Sequence, residues 1–284
     1  MIVNNTSMYN FLVLGIVRDI ASTINDDYDR ISRALKPLGQ TAFFLVESDS
    51  SDLSLEALEK LSTEADNFSF VSLGNLTDFR SRTERMAFAR NRYLQELFSN
   101  KEYLDVTHVI ICDFNNLNSK ISSEKIKFSL ARKNWDVCTA NQGKKYYDIW
   151  ALRHPIWSPN DCWEALDFQR RNSKFPELAL YVSVHSRMIH IPSNSEVIEV
   201  ESAFGGFAIY KRESIGKASY IGVDTSGRPI CEHVLFHQKI RENGGTIIVD
   251  PQLINADWVD HTLETKLRAR LFRLLKYPLK RFKN

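Results

Sequence analysis

Short apolar runs of strand length alternate with amphipathic stretches of helical period through the first half of the chain. This rhythm restricts the possible folds more than any other feature. The runs are residues 11–17 (FLVLGIV), 41–46 (TAFFLV), 68–73 (FSFVSL), 108–112 (HVIIC) and 136–139. Near-continuous apolar runs of this length suit strands buried on both faces. After the first run, Ile24, Tyr28, Ile31 and Leu35 recur at helical spacing, and Pro37 and Gly39 stop the stripe. Residues 53–61 set Leu55, Leu58 and Leu61 on one helical face. Residues 83–98 set Met86, Phe88, Ala89, Tyr93, Leu94 and Leu97 against Arg82, Arg85, Arg90 and Arg92, and residues 122–133 continue the pattern. A βαβαβ order of this kind predicts an α/β fold, a mostly parallel sheet with helices on both faces.

The second half is less regular. Residues 146–152 (YYDIWAL) read as a strand. Residues 155–192 mix Trp, Pro and Arg with helix-like segments and suit an inserted region. Residues 202–210 (SAFGGFAIY) read as a glycine-kinked strand. Residues 232–243 form a helix closed by Gly244 and Gly245, and 246–250 (TIIVD) a last strand. Without an internal repeat or low-complexity linker, residues 1–262 are expected to form one elaborated domain.

Several function classes are disfavoured. A formal net charge of +2 is too small to argue for nucleic acid. The four cysteines form no CxxC pair, which removes zinc-ribbon and dithiol-redox readings. Cys112 and Cys138 lie in apolar runs and read as small buried hydrophobes. No leader pattern is visible at the start, and no apolar stretch approaches the ~20 residues that span a bilayer. The expected location is cytoplasmic, peripheral on the inner face of a membrane.

Ligands of open α/β sheets bind beyond the carboxyl ends of the strands. Acids accumulate there in this chain: Asp19 after the first run, Glu47, Asp49 and Asp52 after the second, Asp113 after the fourth, and Glu232 beyond the kinked strand. A nucleoside diphosphate with a divalent cation needs such a set, because carboxylates hold the metal and the metal neutralises the phosphates. Asp52 or Ser51 also reads as a helix cap closed by Glu56, and Asp113-Phe114-Asn115-Asn116 also reads as a simple turn. Arg85, Arg90 and Asn91 are candidates for the diphosphate or the loop after the fourth run. Gly205 and Gly206 lack Cβ atoms and so permit close approach of a ligand or a bulge. Trp150, Trp157 and Trp163 read as core or as sugar-facing aromatics.

Three segments resemble GT-A glycosyltransferases, with a Rossmann-like, mixed and mostly parallel sheet flanked by helices. The resemblance is to the fungal capsule-associated mannosyltransferase type and its bacterial surface-polysaccharide relatives. They are FLVESDSSD (44–52), RTERMAFARNRYL (82–94) and THVIICDFN (107–115), followed by GGFAIYK (205–211) and CEHVLFHQKIRENGG (231–245). The resemblance implies transfer of a sugar from a UDP- or GDP-sugar to a glycan or lipid-linked acceptor. It implies Glu47, Asp49, Arg85, Arg90, Asn91, Asp113, Gly205 and Gly206 at the donor, and Glu232, or alternatively His233, as general base. It implies Asp113, Asn115 and His261 around a manganese or magnesium ion. Asn115 departs from the family pattern, which has an acid there and so a stronger hold on the metal. A favourable charge at a helix start is the plain reading of Glu232.

Residues 263–284 form a distinct tail. Lys266, Arg268, Arg270, Arg273, Lys276, Lys280, Arg281 and Lys283 face one acid, Glu264, and leucines recur near helical spacing. A basic amphipathic helix of this kind suits an anionic membrane surface. A sugar nucleotidyltransferase would want a glycine-rich basic loop where this chain has Val17-Arg18-Asp19-Ile20. A carbohydrate-binding scaffold with a decayed site is the non-enzyme alternative, and Asn115 is the residue that favours it.

Overall fold

The computed structural model describes residues 10–263, apart from the side chains of His261 and Leu263. Its strands are β1 (Phe11–Val17), β2 (Thr41–Glu47), β3 (Phe68–Ser72), β4 (His108–Cys112), β5 (Val137–Gln142), β6 (Ile198–Val200), β7 (Phe207–Lys211) and β8 (Ile247–Ala256). They form a single sheet in the order β3-β2-β1-β4-β7-β5-β8-β6. β7 runs antiparallel to β4 and β5, and β6 antiparallel to β8; the other ladders are parallel. In register, Phe11 stands beside Thr41 on one side and His108 on the other. This is the mixed, mostly parallel, helix-flanked α/β sheet expected from the sequence.

The helices are α1 (Ile24–Leu35), α2 (Ser54–Glu64), α3 (Arg82–Ser99), α4 (Ser123–Leu130), α5 (Cys162–Asn172), α6 (Ala179–Ser183), α7 (Arg212–Ile215), α8 (Glu232–Glu242) and α9 (Asp260–Leu263). Alternation along the strands divides the interior into two cores. Leu12, Leu14, Val109, Ile111 and Tyr210 meet Tyr93 and Leu97 of α3 and Phe236 and Ile240 of α8. Phe11, Val13, Ile110, Cys112 and Ile209 meet Ile24 and Ile31 of α1, Leu58 of α2 and Ile126 of α4. Each such side chain, fully buried, contributes roughly 1.5–3 kcal/mol relative to exposure, so strands apolar on both faces are the economical solution here. All four cysteines are buried and unpaired, as expected of Cys112 and Cys138.

Caps set where the site-bearing helices begin. Ser81 Oγ accepts from the Glu84 amide at 3.2 Å, while the Glu84 carboxylate accepts from the Ser81 amide at 3.0 Å. Asp161 caps α5, accepting from the amides of Trp163 and Glu164 at 2.9 and 3.2 Å. Asp52 does not close a capping box with Glu56. Its carboxylate accepts from the amides of Ser54 at 2.9 Å and Ala21 at 3.1 Å, which joins the loops after β1 and β2.

Two expectations are corrected in the second half. Residues 146–152 form turns, not a strand. The Tyr146 amide donates to the Ile189 carbonyl, and Asp148 accepts from the Gly205 amide at 3.0 Å, so no ladder is available to the segment. The expected kinked strand begins only at Phe207, because Gly205 and Gly206 have φ of +70° and +80° and cannot continue a pleat. Protein atoms fill the space that a Cβ would need at both glycines. A Cβ on Gly205 would lie 2.7 Å from the Ala140 carbonyl oxygen, and one on Gly206 would meet the Leu117 side chain and the Tyr147 hydroxyl.

Candidate functional site

The carboxyl ends of β1, β2, β3, β4 and β5 share one edge with the glycine turn that enters β7. At the end of β4, Phe114 is drawn into the second core, over Gly15 of β1, where any Cβ would strike its ring. That burial leaves Asp113 half-buried on the edge and Asn115 exposed beyond it. The next residue, Asn116, has a φ of +62°; its amide donates to Asp27 at 2.8 Å, and its side chain accepts from Arg30 at 3.0 Å. The segment is thus a tightly held turn, and the turn is what presents Asp113.

Buried amides fix the other side of this loop. The Asp113 amide donates to the Gly206 carbonyl at 3.0 Å. Asn118 donates to the Asp113 and Gly206 carbonyls at 2.8 and 3.3 Å. Asn255 donates to the Gly205 carbonyl at 2.8 Å and to Asn118 at 2.9 Å, and Gln142 donates to the same glycine carbonyl at 3.1 Å. These three amides are fully buried and satisfied, a condition under which a polar network adds rigidity. Sequence reading passed over them, since isolated Asn and Gln carry no spacing signal.

Three carboxylates and two guanidinium groups converge at this edge. Burial, opposed by Arg90 and reinforced by Asp148 and Glu232 with Arg82 opposing weakly, raises the Asp113 carboxyl to about 7. Glu232 opens α8 and is 1% exposed. Its Oε1 accepts from Arg90 Nε at 2.9 Å. Arg90 also donates to the Tyr93 hydroxyl at 3.0 Å, and that hydroxyl donates to Tyr220 at 3.1 Å. The guanidinium carbon lies 5.4 Å from the centre of the Phe204 ring and 5.5 Å from that of Tyr220. An ion pair in an aromatic sleeve is a rigid object: leaving either charge alone in such a site is costly.

The other candidate residues fall into two groups. Asn91 clasps the backbone of Tyr220, with N–H and carbonyl both bound at 2.8 and 2.9 Å, so its amide serves the protein. His233 stacks on Phe204 with ring centres 4.1 Å apart. Neither of its ring nitrogens has a hydrogen-bond partner among the described residues, although Nε2 lies 3.9 Å from Glu232 Oε1, and burial, then Arg90, holds its pKa well below the usual imidazole value. That makes His233 a poor proton acceptor beside Glu232. Glu47 is buried; it accepts from the Ser50 amide at 3.0 Å and the Ser72 hydroxyl at 2.5 Å, bracing the loop after β2. Asp49, at a φ of +58°, accepts from the Leu76 amide at 2.8 Å. Arg85 is part-exposed near the start of α3. The side chain of His261 and residues 264–284 lie outside the described residues.

Asp148 is the acid that sequence reading missed. It follows the turn after β5 and joins the charge cluster by holding the Gly205 amide. Among the described residues, no three His, Cys, Asp or Glu side chains are grouped so as to hold a metal ion. The donor set still fits a hard cation of the magnesium type, which takes one or two carboxylates and completes its shell with water and substrate phosphate. A raised, half-buried carboxyl such as Asp113 is a group that a cation would return to its ionised form. Two surface grooves, of about 550 and 600 Å³, lie away from this edge, beside Phe168 and beside Phe98.

No protein-family model matches the chain, and no curated protein does. Solved structures similar to it include a mannosyltransferase, PcManGT, from Pyrobaculum calidifontis in complex with GDP-Man and Mn2+, at 15% identity and a TM-score of 0.49, covering 96% of this chain and 62% of that one. TarS residues 1–349 from S. aureus are 14% identical with a TM-score of 0.46, covering 84% of this chain and 57% of that one. Glucosyl-3-phosphoglycerate synthase from Mycobacterium tuberculosis with UDP is 11% identical with a TM-score of 0.40, covering 89% and 71%. The chain spans about 62% and 57% of the first two structures.

Proposed function

We propose that this chain is a GT-A glycosyltransferase, moving a sugar from a UDP- or GDP-sugar to a glycan or lipid-linked acceptor of surface polysaccharide. The observation that carries the reading is the grouping of Asp113 with the Arg90–Glu232 pair and with Asp148, at the carboxyl edge of a mostly parallel sheet. Ligands of such sheets bind at that edge. The loops braced by Glu47 and Asp49 would receive the nucleoside, and Arg85 the diphosphate. Asp113 and Asn115, with His261 as a third ligand, would hold a manganese or magnesium ion that neutralises charge on the leaving diphosphate. On an inverting course Glu232 takes the proton from the acceptor hydroxyl; on a retaining course it positions the acceptor. In either case Arg90 fixes its carboxylate, and Asp148 fixes the glycine turn facing it. We assign residues 1–262 to the transferase domain and 263–284 to an anionic membrane surface, on the inner, cytoplasmic face. No helix among the described residues is long and apolar enough to cross a membrane.

The test is a thermal-shift series with UDP, GDP and CMP, with and without manganese. A ligand that binds only the folded chain raises the melting temperature. One nucleotide should give a shift that manganese enlarges and that Asp113→Ala removes. Asn115, an uncharged amide where the resembled family carries an acid, favours a second reading, a carbohydrate-binding scaffold with a decayed site; the absence of a shift with every nucleotide would select it.

A further inference from the structure

The region between β5 and β6 leaves large apolar side chains outside both cores. Phe168 is 59% exposed, Phe175 60%, Leu178 51% and Val182 48%. They belong to α5, to the turn after it and to α6. α5 spends its inward face on Cys162 and Leu166, and this leaves Phe168 on the outer side. A groove of about 550 Å³ runs between the two helices, with Phe168, Ala165 and Val182 as apolar lining.

One cation lines that groove. Arg187 donates to the Ser158 hydroxyl and the Asn160 carbonyl, both at 3.1 Å, and to the Asn160 side chain at 2.7 Å. All of these acceptors are neutral. Neighbouring Asp161 gives its carboxylate to Arg153 at 2.7 Å, and Glu164 on the groove wall gives its own to Arg228 at 2.8 Å. Arg187 is therefore positioned but has no carboxylate within ion-pair distance among the described residues. Exposed Arg171, one turn beyond Phe168, and exposed Lys174 add charge of the same sign along the rim, against Asp167 and Glu177.

We propose that the α5–α6 face docks on an anionic phospholipid surface, with Phe168, Phe175 and Leu178 at the acyl boundary and Arg187, Arg171 and Lys174 on lipid phosphates. Exposed aromatics and leucine rimmed by unpaired cations are the composition of an interfacial membrane element. Charge complementarity favours lipid as the occupant, because cations without a carboxylate within ion-pair distance among the described residues border the exposed apolar side chains, as on a helix at an anionic interface. A bilayer supplies apolar depth and phosphate together, the two chemistries that this face presents. The inference stands apart from the transferase reading, since its readout is adsorption and involves no sugar transfer.

The experiment uses the full chain and vesicles of phosphatidylcholine, with or without phosphatidylglycerol. The expected result is sedimentation with the anionic vesicles and at least tenfold weaker partitioning of Phe168→Ser/Phe175→Ser and of Arg171→Glu/Lys174→Glu. Both pairs are exposed, and an unchanged melting temperature confirms folding. Placement is read separately: in Phe175→Trp, acyl-chain bromination should quench emission beyond the quenching seen for the parent chain. Equal binding of parent and variants, equal binding to neutral vesicles, or no added quenching would overturn the proposal. So would a parent dimer in size-exclusion chromatography that the Phe168→Ser/Phe175→Ser change dissolves, because a second copy would then cover the face.

Discussion

Arg90 is the residue on which the site turns. Its charge is enclosed by Glu232, Tyr93, Phe204 and Tyr220. Removing it leaves the buried Glu232 side chain without its partner in a closed, apolar setting, so Arg90→Met should destabilise the fold by about 3–5 kcal/mol. The double change Arg90→Met/Glu232→Leu should recover much of that loss, although activity should vanish in both. Urea denaturation measures this directly; a cost below about 1 kcal/mol for Arg90→Met would mean the pair contributes little. Asp113 makes a prediction of a different kind. In the folded chain its carboxyl keeps a proton up to about 7, against 3.8 for the free group. Between those values the folded state binds more protons than the unfolded one, so its contribution to stability declines as pH rises through that window. In metal-free protein, the melting temperature of Asp113→Asn relative to the parent should therefore climb from pH 4.5 to pH 7.5 and level off above. A difference independent of pH would show that the carboxyl is not raised.

At the scale of elements, legibility followed the range of the interactions. The strands through β5 and helices α1 to α4 could be read because their signal is local: apolar runs, 3.6-residue stripes, and stops at Pro37 and Gly39. Asp113 could be read because it ends an apolar run. Asp148 could not, because the aromatic and apolar run 146–152 has the composition of a strand, and only contacts with Ile189 and Gly205, distant in sequence, make the segment irregular. The same limit hid Tyr220, which reaches Arg90 and Tyr93 from a loop and is tied to α3 by Asn91. The glycine turn is where these distant parts meet, and it can be tested there. Gly206→Ala adds a Cβ at a φ of +80° where Leu117 and Tyr147 already stand. It should cost more than ~1 kcal/mol in stability. Because the Gly206 carbonyl holds the Asp113 amide, it should also weaken nucleotide binding at temperatures where the variant remains folded. Isothermal titration on folded Gly206→Ala would separate the two effects; undiminished affinity would detach the turn from the site.

Across the whole molecule, the reading places two elements on one membrane: the α5–α6 face and the tail. The cations of the tail outnumber its acids eight to one, and each basic group near an anionic leaflet adds roughly 1 kcal/mol. The apolar face contributes the other part, which salt does not screen. Two contacts joined by one folded body act as a linked pair, so that loss of either costs more than its isolated affinity suggests. Truncation after Leu263 should thus lower anionic-vesicle affinity at least tenfold and flatten its dependence on ionic strength. Phe168→Ser/Phe175→Ser should lower affinity and leave the salt dependence in place. Combining the two should abolish sedimentation. Vesicle titrations at two salt concentrations distinguish these outcomes. If truncation leaves affinity and salt dependence unchanged, the tail is no anchor, and the helical face alone must account for adsorption.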